Sequence, residues 1–162
     1  REAVWATEVD GEGGDRPEVI NAVTLDGPEL ANEFPLVLTC NKPLHFCETQ
    51  HRQIASLRRH VPDPTVELHP DTAAARDITE ELVEIRTPKG AVRARAEFND
   101  MLDPGVVSGQ HGWFQPCEEL VCPAPTFGPG SDNLNLVLAQ HGDPISGSSP
   151  LRAQMCEIAR LT

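Results

Sequence analysis

Residues 82–98 read LVEIRTPKGAVRARAEF, and this stretch decides the fold class. Apolar and polar residues alternate on both sides of a short turn at Pro88, Lys89 and Gly90. Such alternation is typical of half-buried β-strands, because successive side chains point to opposite faces of a sheet. Two runs of this kind joined by a Pro-Lys-Gly turn predict an antiparallel hairpin.

Further short apolar runs of strand length lie on both sides of the hairpin. They cover residues 34–40, 65–69, 105–108, 133–138 and 155–161. Short helices are predicted at 53–59 and at 72–76, the second with Asp71 as its N-cap behind Pro70. The 15 prolines and 12 glycines interrupt longer helices. Six or seven strands, two or three short helices and no internal repeat predict a mainly β fold, namely a barrel with small helical inserts.

The charge is unevenly distributed along the chain. With 25 acidic and 13 basic side chains, the formal net charge is −12, which argues against a protein that coats nucleic acid or an anionic membrane. Residues 1–33 hold nine of the acids and two of the bases and include the Gly-rich stretch 11–14. We therefore predict an irregular acidic connector over 1–33, a solvated tail rather than a regulatory one, followed by one domain over 34–162.

The opposite bias appears at residues 42–60. Four basic side chains and three histidines lie there with a single acid, Glu48. One interpretation is a solvated helix face whose arginine stems cover apolar surface. The other is an anion site, most simply for phosphate. Composition alone does not choose between them.

The cysteines and histidines do not form a metal-binding pattern. Five cysteines, at 40, 47, 117, 122 and 156, include no Cys-x-x-Cys pair, and the six histidines include no His-x-x-x-His pair. The sequence therefore predicts no metal site, and unpaired thiols favour a cytoplasmic location. Neither a phosphate-binding P-loop nor a hydrolase nucleophile elbow is present, so no self-contained catalytic apparatus is predicted.

The chain begins at Arg1, and its methionines are Met101 and Met155. This start indicates a processed product or a piece of a longer protein. No apolar run approaches the ~20 residues that span a bilayer, so direct membrane insertion is not expected.

The order of several segments resembles a known family. The segments are a strand ending at Thr39, the polar loop 47–52, then residues 56–59, 65–73, 87–90, 104–107, 111–113, 135–137 and 143–147. This order resembles the C-terminal molybdopterin-dinucleotide-binding domain of the dimethyl sulfoxide reductase family of molybdenum or tungsten oxidoreductases. The resemblance covers about residues 34–162. It implies a double-psi β-barrel whose loops close over bis(molybdopterin guanine dinucleotide), with the upstream domains of a longer parent as partners.

The resemblance also implies which residues contact the cofactor. They are Thr39, Thr49, Gln50, His51, Arg52, His111, Gly112, Asn135 and Arg152. Family members often have a histidine where this chain has Glu48, and an ionised carboxylate cannot donate a hydrogen bond to phosphate. The family's metal ligand lies in an earlier domain, so the isolated domain is expected to hold no metal and to be inactive.

The parent is expected to be similar to thiosulfate or polysulfide reductases or to formate dehydrogenases. A second hypothesis is a free-standing double-psi barrel that acts as a protein-interaction or binding module, with the charges of 42–59 as its docking patch. Barrels of this kind serve unrelated functions, so the fold alone cannot choose.

Overall fold

Six strands close into a barrel in the computed structural model, which describes residues 28–79, 81–122, 130–139 and 153–161. The strands are β1 Leu36–Asn41, β2 Thr65–Leu68, β3 Leu82–Thr87, β4 Gly90–Phe98, β5 Val106–Gln110 and β6 Gln154–Arg160. Their order around the barrel is β1-β5-β2-β4-β3-β6. The predicted mainly β fold, a double-psi β-barrel, is confirmed.

The direction of the strands determines which loops meet. β1 is parallel to β5, and β2 is parallel to β4, whereas the other four pairings are antiparallel. The predicted hairpin of β3 and β4 forms, with Thr87 opposite Gly90. Because parallel strands point the same way, the loops that follow β1 and β5 leave the barrel at the same end.

The barrel interior is filled by aliphatic side chains at alternate strand positions. In β3, Val83 and Ile85 are buried, and in β4 the alternation continues through Val92, Ala94 and Ala96. Each fully buried large aliphatic side chain contributes about 1.5–3 kcal/mol relative to an exposed one. The other barrel strands contribute Leu36, Leu38, Val66, Leu68, Val107, Cys156 and Ile158 to the same core.

The helices are short. They are α1 Pro28–Glu33, α2 Ala55–Arg58 and α3 Pro70–Ala74, with 3-10 turns at Glu118–Leu120 and Leu134–Leu136. None of these described helices has the length or the apolar character needed to cross a bilayer. α1 occupies the end of the predicted irregular connector, whose first 27 residues lie outside the described part of the chain.

Two local predictions are wrong. The cap of α3 is His69, whose Nδ1 accepts from the Asp71 N–H at 3.0 Å, because the helix begins two residues earlier than predicted, at Pro70. Residues 133–138 contain a 3-10 turn rather than a strand. The Asn133 side chain accepts from the Asn135 N–H at 3.2 Å and thereby favours a turn over extended backbone.

The core packing can be tested with two truncations of equal size. Ile85, which is 1% exposed, lies opposite Val92 and Ile158 on its neighbouring strands. Ile85→Ala should lower the free energy of unfolding by about 2–5 kcal/mol, because it removes apolar contacts and leaves a cavity. Urea denaturation followed by tryptophan fluorescence measures the loss.

Leu44→Ala is the matched control, since Leu44 is 94% exposed. It should change the free energy of unfolding by no more than about 0.5 kcal/mol. Equal losses in the two variants would contradict the assignment of Ile85 to the core.

Candidate functional site

Three segments that are distant in sequence meet at one end of the barrel. The loop after β1 provides Thr49, the segment after β5 provides Gly112, and the 3-10 turn at Leu134–Leu136 provides Asn135. The Asn135 side-chain oxygen accepts from the Gly112 N–H at 3.4 Å. The parallel β1–β5 pairing brings the first two segments together, since both follow the same end of the barrel.

Gly112 allows the segment after β5 to approach the side chains of Thr49 and Arg52 closely. Its φ is +88°, a left-handed conformation that glycine adopts without steric cost. A Cβ at this position would lie 3.0 Å from Thr49 Cγ2 and 3.4 Å from Arg52 Nη1. A side chain at residue 112 would therefore push the two loops apart.

Arg52 is completely buried beneath the loops. Its Nη1 donates to the Glu48 carbonyl at 2.9 Å and its Nη2 to the His111 carbonyl at 3.0 Å. The guanidinium carbon lies 4.8 Å from the ring centre of Phe46 and 5.1 Å from that of Trp113. Burial, and secondarily the charge of Arg58, lowers the pKa of Arg52 to about 10.

Arg58 is the second buried arginine of the basic segment. Its guanidinium carbon lies 4.3 Å from the Trp113 ring centre, and it donates to the carbonyls of Pro62, Arg52 and Gln115 at 2.9, 3.3 and 3.3 Å. Burial also lowers the pKa of Arg58. The solvated-face interpretation is wrong for these two arginines, because their charged ends lie inside the protein.

Glu48 connects the two loops through its carboxylate. One oxygen lies 3.2 Å from His111 Nε2, and the other is hydrogen-bonded to the Lys42 ammonium. The hydrogen bond from Lys42 is the main cause of a lowered Glu48 pKa. His111 is buried, and its Nδ1 has no hydrogen-bond partner among the described residues.

The structure brings together five of the nine predicted contact residues: Thr49, Arg52, His111, Gly112 and Asn135. Gln50 and His51 lie beside Thr49 in the same loop, where the Gln50 N–H donates to the Cys47 carbonyl at 2.8 Å. Thr39 lies in β1 opposite Ser108 of β5. Arg152 lies outside the described residues.

Sequence reasoning missed the aromatic support of the cluster. Phe46 and Trp113 are buried, their ring centres lie 6.0 Å apart, and both contact the Arg52 guanidinium. Gln115 was also missed, although its side-chain oxygen accepts from the Arg52 N–H at 3.1 Å. Their only sequence signal was position, since Phe46 directly precedes the predicted loop 47–52, and Trp113 and Gln115 follow His111 and Gly112.

The chemistry of the cluster suits an anionic heterocyclic ligand better than a metal ion. Within the described ranges, no three histidine, cysteine or acidic side chains are grouped so that they could hold a metal. The cluster offers imidazole, amide, hydroxyl and backbone groups, which match phosphate oxygens and the edges of a pterin or guanine ring. The buried Nδ1 of His111 and Nε of Arg52 have no hydrogen-bond partner among the described residues. Both atoms can therefore still form a hydrogen bond with a ligand.

Comparison with known proteins agrees with this chemistry. A family model described as "Molydopterin dinucleotide binding domain" matches residues 36–155. The chain is 30% identical over 106 residues to a putative catalytic component of the dimethyl sulfoxide reductase of Halobacterium salinarum, covering 65% of this chain and 13% of that protein. It is 28% identical over 172 aligned positions to the dopamine dehydroxylase of Eggerthella lenta, covering 100% of this chain and 16% of that protein.

A solved structure shares the fold over most of the chain. Acetylene hydratase from Pelobacter acetylenicus superimposes with a TM-score of 0.74 and 25% identity, covering 91% of this chain and 21% of that one. The chain spans only 13–16% of the length of these curated relatives. Since the family model matches most of the sequence, this chain belongs to the molybdopterin dinucleotide binding domain family, as its resemblance to the dimethyl sulfoxide reductase family predicted.

Proposed function

We propose that the cluster around Gly112 is the surface with which this domain contacts a molybdopterin guanine dinucleotide. The observation that carries this proposal is that predicted contact residues from three distant segments, represented by Thr49, His111 and Asn135, meet at one end of the barrel. Ligand groups usually lie on loops that a rigid scaffold positions. When bound, the cofactor supplies a metal centre that changes oxidation state, and the protein supplies orientation and electrostatics.

Arg52 takes a positioning role in this proposal. Its two terminal nitrogens donate to the carbonyls of Glu48 and His111, so it fixes both loops from below. Gln50 and His51, which would face the ligand, then lie on a loop whose backbone is ordered before the ligand binds. Preorganisation of this kind lowers the entropic cost of binding. A direct contact between Arg52 and the cofactor stays a prediction.

Glu48 needs neutralisation if an anionic ligand binds beside it. Its carboxylate already has two cationic or hydrogen-bonding partners, Lys42 and His111. These partners offset the repulsion that a lone carboxylate would exert on phosphate. We infer that Lys42 acts here as a local counter-charge and leaves the remaining donors of the loop available to the ligand.

The parent in this proposal is a longer molybdopterin oxidoreductase. Support comes from the small share of the curated relatives that the chain spans and from their names, which include a dimethyl sulfoxide reductase and a dopamine dehydroxylase. Upstream domains of the same parent would complete the cofactor site, and the isolated domain would be inactive.

Several finer features of this parent stay predictions. They are the bis(guanine dinucleotide) form with molybdenum or tungsten, a thiosulfate reductase-like, polysulfide reductase-like or formate dehydrogenase-like activity, and a cytoplasmic location. The net charge of −12 supports the expectation of no nucleic-acid partner.

Binding can be tested with GDP, which carries the guanine and diphosphate chemistry of the proposed ligand. GDP titrated into the chain should shift the amide NMR signals of residues 49–52, 111–112 and 135. Gln50→Ala should raise the dissociation constant about 3- to 10-fold, because it removes one hydrogen-bonding side chain from the exposed edge of the loop.

Gln53→Ala is the matched control, since Gln53 is an exposed glutamine three residues further along and outside the predicted contact set. It should leave the dissociation constant unchanged. Shifts confined to residues away from the cluster would reject the cofactor proposal and favour the interaction-module hypothesis.

The Glu48–Lys42 ion pair predicts that a stabilising interaction is lost at low pH. The hydrogen bond from Lys42 lowers the pKa of Glu48, so its stabilising effect is complete above the ordinary carboxyl pKa. That effect is lost as the pH falls through the lowered pKa. Lys42→Gln should move the Glu48 pKa back toward its ordinary value, as measured by NMR titration of the side-chain carboxyl carbon.

Lys89→Gln is the control, because Lys89 is the other lysine of the chain and lies in the β3–β4 turn. Its substitution should leave the Glu48 pKa unchanged. An unchanged pKa in Lys42→Gln would show that Lys42 does not stabilise the carboxylate.

A further inference from the structure

Cys117 and Cys122 are paired in an isolated antiparallel β-bridge. The Cys117 N–H donates to the Cys122 carbonyl at 3.0 Å, and the Cys122 N–H donates to the Cys117 carbonyl at 3.0 Å. Residues that exchange both hydrogen bonds have Cα atoms about 5.5 Å apart. Disulfides span Cα separations of about 4.4–6.8 Å, so the backbone spacing of this bridge is compatible with a disulfide, whose formation requires the two side chains to rotate toward each other.

The short loop between the two cysteines holds them in this position. It consists of the 3-10 turn Glu118–Leu120 and of Val121, whose φ of +54° reverses the chain. Directly opposed residues of an antiparallel pair project their side chains from the same face. The two side chains therefore project from the same face, and both thiols are free, with the Cys122 Sγ donating to the Leu120 carbonyl at 3.5 Å.

The environment of the pair gives an oxidant access to one sulfur. Cys117 is completely buried, whereas Cys122 is partly exposed and lines a cavity of about 210 Å³ together with Arg58, Trp113 and Asp132. Because Cys122 is partly exposed and lines this cavity, a small neutral oxidant has access to it, whereas solvent does not reach Cys117.

The other thiols lack this arrangement. Cys156 is completely buried in the barrel core, and Cys47 is exposed in the loop after β1, where its bridge partner is Gln50. Cys40 of β1 lies opposite Gly109 of β5, so among the described residues Cys117 and Cys122 are the cysteines that the backbone places directly opposite each other.

We propose that Cys117 and Cys122 form a reversible dithiol–disulfide pair that hydrogen peroxide oxidises and a dithiol reductant restores. In the first step, the Cys122 sulfur attacks a peroxide oxygen and the O–O bond breaks. The leaving hydroxide takes up the thiol proton, which gives one water and a sulfenic acid. The Cys117 sulfur then attacks the Cys122 sulfur, the S–O bond breaks, and the second thiol proton completes a second water. Two electrons pass from the sulfurs to peroxide.

The pair lies next to the cluster around Gly112. Arg58 contacts Trp113 and the Gln115 carbonyl, and Gln115 in turn accepts from the Arg52 N–H. Burial lowers the pKa of Arg58, whereas the negative charge of Cys122 and Cys117 as thiolates would raise it, so both sulfurs lie near the guanidinium. Oxidation would therefore fix the segment that follows Gln115 and join the two sulfurs beside the buried guanidinium.

Peptide mapping of the full chain tests the proposal. Trypsin cleaves after Arg95 and Arg152 and at no site between them, so a single peptide, 96–152, carries both thiols and no other cysteine. After equimolar hydrogen peroxide and alkylation under denaturing conditions, most of this peptide should be two hydrogens lighter and carry no alkyl group. Cleavage after Glu118 or Glu119 should leave two fragments that separate only on reduction, and dithiothreitol should restore both alkylation sites.

Two serine variants complete the experiment. Cys47→Ser should form the same disulfide as the unaltered chain, whereas Cys122→Ser should leave Cys117 fully alkylatable. Alkylation of both Cys117 and Cys122 after peroxide treatment of the unaltered chain would overturn the proposal. A disulfide that joins peptide 96–152 to the peptide carrying Cys47 would also overturn it, because Cys47 would then be the partner.

Discussion

β1 and β5 run parallel and side by side, with Val37 opposite Val106 and Asn41 opposite Gln110. Parallel neighbours cannot be joined by a tight turn, so the chain must leave the barrel and return between them. In this protein that excursion contains β2, β3 and β4 and includes the long loop that follows β1. The same constraint brings the loop after β1 against the segment after β5. The strand order alone therefore brings the two loops of the candidate site together, and no additional helix or strand is needed to do so.

The loops at this end are held by a buried cation rather than by an apolar core. Removing an arginine head from water costs several kcal/mol unless hydrogen bonds and nearby charges or π-systems compensate for it. Arg52 receives that compensation from two loop carbonyls and from the rings of Phe46 and Trp113. The His111 carbonyl and the Trp113 ring contact Arg52 only when the segment after β5 lies against the loop after β1, so these contacts couple the positions of the two loops. A ligand on the outer side meets a surface that is already formed.

Features that depend on residues close together in sequence could be predicted, whereas features that depend on contacts between distant residues could not. The β3–β4 hairpin was predicted because its alternation and its turn are local, and the other four strands were predicted because each is a short apolar run. Residues 133–138 were assigned to the wrong structure, because a short apolar run does not reveal that Asn133 will bond to its own backbone. The site residues came from resemblance to a family. That resemblance could not show that Arg52 is buried or that Glu48 pairs with His111, which is 63 residues away, since both facts depend on the closed barrel.

The basic segment at 42–60 could be interpreted from sequence as a solvated helix face or as an anion site. In the structure, some of its charges are buried and others form ion pairs. Arg52 and Arg58 are internal, while Lys42 and Arg59 each pair with a glutamate, Glu48 or Glu119. Few guanidinium groups of this segment are therefore available to bind a phosphate from solvent.

The backbone around the cluster turns sharply, since Glu48, His51, Gly112 and Trp113 all have positive φ values. Backbone N–H groups in such turns form anion-binding concavities. In an acidic chain, this arrangement would let main-chain dipoles and imidazoles recognise an anion, while the arginines act as internal supports.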